Sequence, residues 1–341
     1  MHLTCVSREL HPRRTFRISR ARRTEVRNVF VRLESDGICG YGEASPNAFY
    51  DETWEKVVAR LENARDFIGS LAIRNVADIE HAWEEAWPLL APSRAAQCAL
   101  DLALWDWWGR RQGKTVSELA WQQPPQAVTT FTTIGLSSVD ELTEKVEELR
   151  GFPRIKIKSD RTASLEPIRF VRERSPALLA VDANCAWSDT NLHDLALELV
   201  NLGVTFLEQP LPPERDSDLP ALALPVMADE SCVGQDDVPQ LAEHFAGFNI
   251  KLVKCGGLTP ARQMVEQGKA LGKRLMVGCM LESSALIAAG AVIAQRTDYA
   301  DLDGAWLLGD DPFSGWQFDH GILNPPSAAG LGIAPEAGLF G

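Results

Sequence analysis

The feature that most constrains this chain is a repeated alternation of short apolar strands and helical segments, which begins near residue 127. The eight predicted strands are TTFTTIG (129–135), RIKIKSD (154–160), LLAVDANC (178–185), VTFLEQPL (204–211), PVMADES (225–231), FNIKLVK (248–254), RLMVGCMLE (274–282) and YADLDGAW (299–306). Strands that alternate with helices form parallel sheets, and eight such units favour a (β/α)8 barrel. An open doubly wound sheet is the alternative, although no glycine-rich dinucleotide motif follows any strand.

The first 120 residues have a different rhythm and predict a separate α+β domain. Strands are predicted at residues 2–10, 26–34 and 37–44, and helices at residues 52–68, 76–90 and 93–112. We therefore divide the chain into an α+β domain over residues 1–120 and a barrel domain over residues 121–341, whose C-terminal tail could pack back on the first domain.

Charge and cysteine content narrow the function classes. The net charge of −13 is not suited to nucleic acid or to an anionic membrane. Residues 11–27 oppose this trend with seven arginines and one glutamate. The seven cysteines contain no CxxC pair, and MHLTCVSREL lacks the apolar run of a signal peptide, so we expect reduced thiols in the cytoplasm. No stretch is apolar for long enough to span a membrane.

Carboxylates recur at the ends of three consecutive predicted strands, where barrels usually place their active sites. They are Asp182 in VDAN, Glu208 in LEQP and Asp229 in ADES. Any one of them alone, in a chain with 47 acidic residues, would be a surface acid, but their regular spacing favours a common site. Three converging carboxylates repel one another unless a cation lies between them, and oxygen ligands suit Mg²⁺ or Mn²⁺.

Lysines occur in the predicted strands on both sides of this trio. Side chains alternate in RIKIKSD, so Lys156 and Lys158 share one face. Alone, this strand would be a solvated edge, but in a barrel its isoleucine face packs on the helices and the lysines point inward. The same reasoning sends Lys251 inward and leaves Lys254 on the outer face or rim.

Lysines on opposite sides of a metal suit the removal and return of the α-proton of a carboxylate substrate. The metal would stabilise the enediolate that forms, while one lysine removes the proton and the other returns it to the opposite face. A lysine must be neutral to act as a base, and its free pKa is about 10.4. We expect the charges of Lys156 and Mg²⁺ to lower the pKa of the working Lys158.

The ordered motifs KIK, VDAN, LEQP, ADES and NIKLVKCGGLT resemble the enolase superfamily, in its muconate-cycloisomerase-like branch. The resemblance covers nearly the whole chain, and it implies that the α+β domain caps the barrel. It also implies that Asp182, Glu208 and Asp229 bind Mg²⁺. Lys158 and Lys251 would be the acid/base pair, with Lys156, Asn184 and Glu230 as supporting residues.

Strand eight carries a pattern that bears on the substrate. YADLDGAW places Asp301 and Asp303 on one face. Alone this would be a hydrated acidic turn, but two carboxylates at a barrel mouth can bind an ammonium group. The pattern resembles the dipeptide epimerases, where it holds the free α-ammonium group of the substrate. GCMLESS (278–284) resembles them too and makes Glu282 a further site candidate.

The arginine-rich stretch occupies the position of a family loop that folds over the substrate. In L-Ala-D/L-Glu epimerases an arginine there pairs with the substrate glutamate, as a bidentate guanidinium can. Arg23 is the first choice for this role here, with Arg20 and Arg22 behind it. Most arginines in such a run would otherwise be solvated, and a run this basic departs from the usual loop of the family.

The sequence therefore predicts a Mg²⁺-dependent dipeptide epimerase, with L-Ala-D/L-Glu as the favoured substrate and two-lysine 1,1-proton transfer as the chemistry. The resemblance implies a role in recycling murein peptides. The expected partner is a small dipeptide, with no nucleic acid and no membrane, and a homo-oligomer is compatible with the sequence.

Rival functions share the barrel. An N-acylamino acid racemase, an o-succinylbenzoate synthase or a muconate-lactonising enzyme would have no use for Asp301 and Asp303. A non-catalytic binding protein on the same barrel would need neither lysine. A dehydratase is disfavoured because strand seven ends without the histidine that many such relatives use as a base.

Overall fold

The structure is a computed structural model that describes residues 1–341. The N-terminal part contains β1 His2–Leu10, β2 Phe16–Ile18, β3 Ala21–Arg23, β4 Val26–Ser35, β5 Ile38–Ala44, a 3-10 turn at Ala48–Tyr50, α1 Trp54–Asn63, α2 Arg65–Ser70, α3 Val76–Leu90, α4 Arg94–Gln112 and α5 Val116–Trp121. The strands and helices expected in this part are therefore present, with one expected helix divided into α1 and α2.

An antiparallel sheet in the order β1–β4–β5 forms the base of this domain, and α4 packs across it. The helix begins where the Ser93 side chain accepts a hydrogen bond from the Ala96 backbone and ends at Gly113. Helix and sheet touch closely at Gly42, where a Cβ atom would lie 2.0 Å from the backbone oxygen of Ala99. A glycine in β5 is therefore required for this packing.

The arginine-rich stretch forms a small hairpin, β2–β3, outside that sheet. Phe16 pairs with Arg23 and Ile18 with Ala21, so Ser19 and Arg20 make the two-residue turn. The first strand of the hairpin is attached to the barrel at Arg17, whose backbone oxygen accepts a hydrogen bond from the Leu136 amide at 2.9 Å. The hairpin thereby extends over the mouth of the barrel.

The barrel follows. Its elements are β6 Val128–Thr129, β7 Thr132–Ile134, α6 Val139–Glu148, β8 Arg154–Lys158, α7 Glu166–Arg174, β9 Leu178–Asp182, α8 Leu192–Asn201, β10 Val204–Glu208, a 3-10 helix Pro213–Asp218, β11 Val226–Ala228, α9 Asp237–Leu241, β12 Gly247–Lys251, α10 Leu252–Cys255, α11 Leu258–Ala270, β13 Arg274–Gly278, α12 Ser284–Ala294, β14 Tyr299–Asp301 and α13 Gly304–Leu307.

The strands β7 to β14 form one eight-stranded parallel sheet in chain order. The ends of the sheet meet where the Phe131 amide donates a 2.8 Å hydrogen bond to the backbone oxygen of Ala300. The predicted (β/α)8 barrel is confirmed. All eight strands end earlier than predicted. The largest consequences are at β12, which ends at Lys251, and at β14, which ends at Asp301, because a short helix follows each.

The interior of the barrel is layered. A buried apolar cluster fills its lower part, with Phe131 and Phe206 in edge-to-face contact at 5.5 Å. Ile155 and Ile157 of β8 belong to a different cluster, which includes residues of α6 and α7. The alternation in β8 therefore sends the isoleucines outward to the helices and the lysines inward, above the apolar layer.

The C-terminal tail contains β15 Phe313–Ser314, β16 Gln317–Asp319, β17 Ile322–Asn324 and β18 Ala334–Pro335. The strands β16 and β17 form a small sheet with β6. The tail also contacts α4, because the Leu331 amide donates a 2.7 Å hydrogen bond to the buried Asp106 carboxylate. No helix in the structure combines the length and the hydropathy that a bilayer crossing requires.

Candidate active site

A cavity of about 420 Å³ lies at the C-terminal ends of the barrel strands, beneath the β2–β3 hairpin and residues 45–50. Many of the predicted site residues line it. From the barrel these are Lys158, Asn184, Asp229, Lys251, Asp301 and Asp303, and from the hairpin Arg20 and Arg23.

Three carboxylates converge at the base of this site. Asp182 and Glu208 are the last residues of β9 and β10, and Asp229 follows β11 directly. All three are buried, and their candidate ligand oxygens lie within 4.8 Å of one another. Burial and the charge of Asp182 raise the pKa of Glu208 to about 7. Because a divalent cation would relieve this repulsion, the donor set fits a hard cation such as Mg²⁺.

Two lysines enter the cavity from opposite sides of that trio. Lys158 Nζ donates to Asp182 at 2.5 Å, and Lys251 Nζ donates to Asp229 at 2.7 Å. Burial alone would lower the pKa of Lys251, but the charges of Asp229 and Glu208 outweigh burial and raise it. Lys251 is thus held as a cation by the same carboxylates that would bind a metal.

Lys156 lies deeper than Lys158 and does not line the cavity. It is 1% exposed, donates to Glu208 at 3.0 Å and also bonds Asp301. Burial lowers its pKa, but Asp301, Glu208 and Asp182 outweigh that effect and raise it. Three carboxylates therefore surround the Lys156 ammonium group and balance its charge.

Lys254 was expected on the outer face or rim, and this expectation is wrong. It is buried, and its Nζ donates to the Asp229 carboxylate at 2.7 Å and to the Asp229 backbone oxygen at 2.5 Å. The strand ends three residues earlier, and the helical turn α10 brings Lys254 back under the site. The signal in the sequence was Gly256, whose φ of 98° ends that turn as a left-handed cap.

Asn184 and Glu230, the predicted supporting residues, lie beside the trio. Asn184 has a φ of 43°, which asparagine tolerates, and its amide nitrogen donates to Glu230 at 3.3 Å. Two further supports escaped sequence reasoning. The Asn249 side chain donates to Glu208 at 2.6 Å, and the Gln209 side chain accepts from the Asp229 backbone at 2.8 Å.

The Asp-x-Asp pair meets the first strand of the barrel. Thr133 donates from its backbone to Asp303 at 2.6 Å and from its hydroxyl to Asp301 at 3.4 Å. Burial and the charge of Asp301 raise the pKa of Asp303 to about 7. Both carboxylates line the cavity, and Asp303 accepts a hydrogen bond from the Thr133 amide alone, so the pair can accept further hydrogen bonds from a cationic group there.

The arginines of the hairpin separate into two groups. Most are engaged with the protein: Arg14, Arg17, Arg20 and Arg27 form ion pairs, and Arg13 donates to a backbone oxygen. Arg22 is exposed and lies outside the cavity, whereas Arg23 lines it without an ion pair in the protein. Most arginines of residues 11–27 therefore attach this segment to the rest of the protein. The Arg23 guanidinium lies at the site without a counter-charge from the protein.

Glu282 lies behind the wall of the cavity and does not line it. One of its oxygens accepts a 2.9 Å hydrogen bond from the Met280 backbone, while Oε2 is buried without a partner. Burial, together with the neighbouring Glu43, raises the pKa of Glu282 to about 8. The structure therefore places Glu282 outside the lining of the cavity.

The fold and the site together define a capped (β/α)8 barrel of the enolase-like class, with a carboxylate trio between opposed lysines. The enolase C-terminal domain-like model matches residues 139–338, and the mandelate racemase / muconate lactonizing enzyme N-terminal domain model matches residues 1–120. The chain belongs to the mandelate racemase / muconate lactonizing enzyme family, and the predicted membership of the enolase superfamily is confirmed.

Among curated proteins, the chain is similar over most of its length to dipeptide epimerases. It is 38% identical to an L-Ala-D/L-amino acid epimerase of Flavobacterium johnsoniae, over 94% of this chain and 95% of the relative. It is 35% identical to the L-Ala-D/L-Glu epimerase of Escherichia coli, over 91% of this chain and 95% of the relative.

Solved structures that resemble this chain also include dipeptide epimerases and a protein with homology to them. A dipeptide epimerase from Methylococcus capsulatus, complexed with Mg and L-Arg-D-Lys, superposes with a TM-score of 0.89 at 32% identity, over 97% of this chain and 98% of that chain. An enolase family member from Agrobacterium tumefaciens with homology to dipeptide epimerases, bound to sodium and L-Ala-L-Glu, gives 0.88 at 32% identity, over 95% and 98%.

Proposed function

We propose that this protein is a Mg²⁺-dependent dipeptide epimerase that interconverts L-Ala-L-Glu and L-Ala-D-Glu. The observation that carries the proposal is the placement of Lys158 and Lys251 on opposite sides of one cavity, next to three clustered carboxylates of which Asp229 lines the cavity. The similarity to dipeptide epimerases over more than nine-tenths of the chain supports it.

The metal site orients the substrate. Mg²⁺, when held by Asp182, Glu208 and Asp229, supplies the positive charge that stabilises the negative charge left on the substrate carboxylate as the α-proton leaves. The α-carbon of the glutamate then lies between the two lysines. One lysine takes the proton, and the other delivers a proton to the opposite face, which inverts the centre.

The remaining groups of the cavity recognise the two ends of the dipeptide. The carboxylates of Asp301 and Asp303 accept hydrogen bonds from the α-ammonium group of the first residue. Arg23, which has no ion pair in the protein, binds the glutamate side chain. Lys156 keeps Asp301 and Glu208 in place from below, and Lys254 does the same for Asp229.

An N-acylamino acid substrate fits these groups less well, because it brings no cation to Asp301 and Asp303. Two carboxylates facing a neutral acyl group would lose hydrogen bonds to water without replacement. We extend the proposal to a cytoplasmic enzyme that acts on murein peptides and recycles L-Ala-Glu units. The seven unpaired cysteines support a reducing compartment.

The direct test is incubation with Mg²⁺ and L-Ala-L-Glu in D2O, followed by proton NMR. Loss of the glutamate α-proton signal with appearance of the L,D diastereomer would support the proposal. If no exchange occurs with this dipeptide, a dipeptide library and then N-succinylamino acids would be tried in the same assay. Exchange only with the N-acylated compounds would overturn the dipeptide assignment.

A further inference from the structure

The tip of the β2–β3 hairpin enters the mouth of the barrel. Ser19 and Arg20, which form the turn, both donate hydrogen bonds to the backbone oxygen of Asn184, at 3.3 Å and 3.2 Å. The base of the hairpin is attached separately, through Arg17 and Leu136. The contacts of the tip therefore determine whether the hairpin packs on the barrel or separates from it.

Arg20 makes the strongest of these contacts. Its Nη2 lies 2.6 Å from Oε1 of Glu230, whose side chain is 0% exposed, while the Arg20 side chain is 32% exposed. Breaking an ion pair with a fully buried partner is more destabilising than breaking a solvated surface pair, because the buried charge loses its counter-charge. Arg20 thus connects the hairpin to a buried charge at the C-terminal end of the barrel.

The same guanidinium contacts a second segment of the cap. It lies 4.4 Å from the centroid of the Phe49 ring, within the range of a cation–π interaction. Phe49 belongs to residues 45–50, the other part of the cap that lines the cavity. One side chain therefore joins both cap segments to the barrel.

On the barrel side, the contacts of Arg20 end beside the carboxylate trio. Glu230 follows Asp229, and Asn184 donates to both Glu230 and Asp182, at 3.3 Å and 3.2 Å. Arg20 and the Asn184 amide share Oε1 of Glu230, whereas Oε2 is buried without a hydrogen-bond partner. The attachment of the cap and the arrangement of the trio thus depend on the same two residues.

We propose that Arg20 is a positioning residue that holds the cap closed over the substrate cavity by joining the hairpin and residues 45–50 to Glu230 and Asn184. The proposed function gives Arg20 no role of its own. The kinetic part of this inference rests on that function, whereas the closure of the cap does not.

Hydrogen exchange of the full chain with Mg²⁺ and without substrate tests the closure directly. Arg20→Ala should speed exchange of the amides in residues 16–23 by about tenfold to a hundredfold, the range expected for the loss of a charged hydrogen bond. Arg20→Lys keeps the charge but cannot reach Glu230, Asn184 and Phe49 together, so it should give a smaller increase. Arg22→Ala is the matched control and should leave exchange of the hairpin unchanged. In every variant, the amides of α4 should exchange at the wild-type rate.

Glu230→Gln tests the other end of the contact. If Arg20 acts through Glu230, the double variant should exchange at about the rate of Arg20→Ala alone. The inference would be overturned if the hairpin amides of Arg20→Ala exchanged at the wild-type rate. It would also be overturned if the effects of the two substitutions on the exchange rate were fully additive.

Kinetics with L-Ala-L-Glu separates this inference from the proposed function. Arg20→Ala should raise KM by about tenfold and lower kcat less, because a loosened cap weakens binding more than it affects the lysines. Unchanged KM with faster exchange would contradict closure over the substrate. If the wild-type protein does not epimerise dipeptides at all, the exchange measurements still decide whether Arg20 closes the cap.

Discussion

Lys158 and Lys251 face one cavity from opposite sides of the barrel, and each pairs with a different member of the carboxylate trio. Lys158 bonds Asp182 at 2.5 Å, and Lys251 bonds Asp229 at 2.7 Å. Three strands, β9 to β11, separate β8 from β12 in the sheet. A substrate held above the trio would thus present one face of its α-carbon to each lysine, which is the geometry that inversion of the centre requires.

Replacing Asp303 by Asn should weaken the binding of dipeptides with a free amino group. The amide oxygen can still accept the hydrogen bond from the Thr133 backbone, so the change removes charge and little else. We expect KM for L-Ala-L-Glu to rise about tenfold to a hundredfold, the effect of losing one charged hydrogen bond. Steady-state kinetics with the free dipeptide measures this.

N-acetyl-L-Ala-L-Glu is the control substrate for that variant, because it lacks the ammonium group. Any activity with it should be the same in Asp303→Asn and in the wild type. An equal loss for both substrates would show that Asp303 has another role.

Arg23→Ala should lower kcat/KM for L-Ala-L-Glu by about tenfold to a hundredfold, because an arginine–carboxylate pair is lost from the site. The activity with L-Ala-L-Leu, which has no side-chain carboxylate, should change little. Arg22→Ala, one position away on an exposed side chain, is the matched control and should behave as the wild type with both dipeptides. If Arg22→Ala shows the loss instead, the assignment of Arg23 is wrong.

Asn249→Ala should weaken Mg²⁺ binding without touching a ligand residue. Asn249 holds Glu208 by a 2.6 Å hydrogen bond, and loss of such a support typically weakens metal affinity about tenfold to a hundredfold. Isothermal titration calorimetry with MgCl2 measures the dissociation constant. Asn201→Ala, at the exposed end of α8, should bind Mg²⁺ as the wild type does, and equal affinity in both variants would contradict the supporting role of Asn249.

Glu282→Gln should change how stability depends on pH. Burial raises the pKa of Glu282 from 4.5 to about 8. A raised carboxyl pKa means that the folded protein binds the proton more tightly, so this contribution is complete below pH 4.5 and is lost as the pH rises through 8. The loss is at most on the order of 5 kcal/mol, from 1.36 kcal/mol per pKa unit.

Urea unfolding between pH 5 and pH 9 measures this effect, because the glutamine side chain cannot ionise. The free energy of unfolding should fall less across that range in the variant than in the wild type. Parallel curves for the two proteins would show that Glu282 does not titrate as the structure indicates.

Sequence periodicity could predict the eight strands and their order, although not where each one ends, because it is a local property. Alternation fixed the inward face of β8, and the position of each acid at the end of its strand placed Asp182 and Glu208 together. Lys254 could not be placed in this way, because the alternation was extended past Lys251, where the backbone turns into a helix. Asp303 likewise lies beyond β14, yet it still lines the cavity with Asp301.

Contacts between the N-terminal domain and the barrel could not be predicted from the sequence in this way. Arg20 and Glu230 are far apart in the chain and meet only when the hairpin covers the barrel. Neither residue lies in a periodic pattern that points to the other. Sequence periodicity could not predict the charge state of the lysines either, since that state depends on how many carboxylates surround each Nζ atom.

The most direct test of the central claim uses Lys158→Ala and Lys251→Ala with both diastereomers of Ala-Glu in D2O and Mg²⁺. Each variant should exchange the glutamate α-proton of one diastereomer only, without epimerisation, and the two variants should differ in which diastereomer they exchange. Loss of exchange on the same diastereomer in both variants, or epimerisation that survives either substitution, would contradict a mechanism with one lysine on each face.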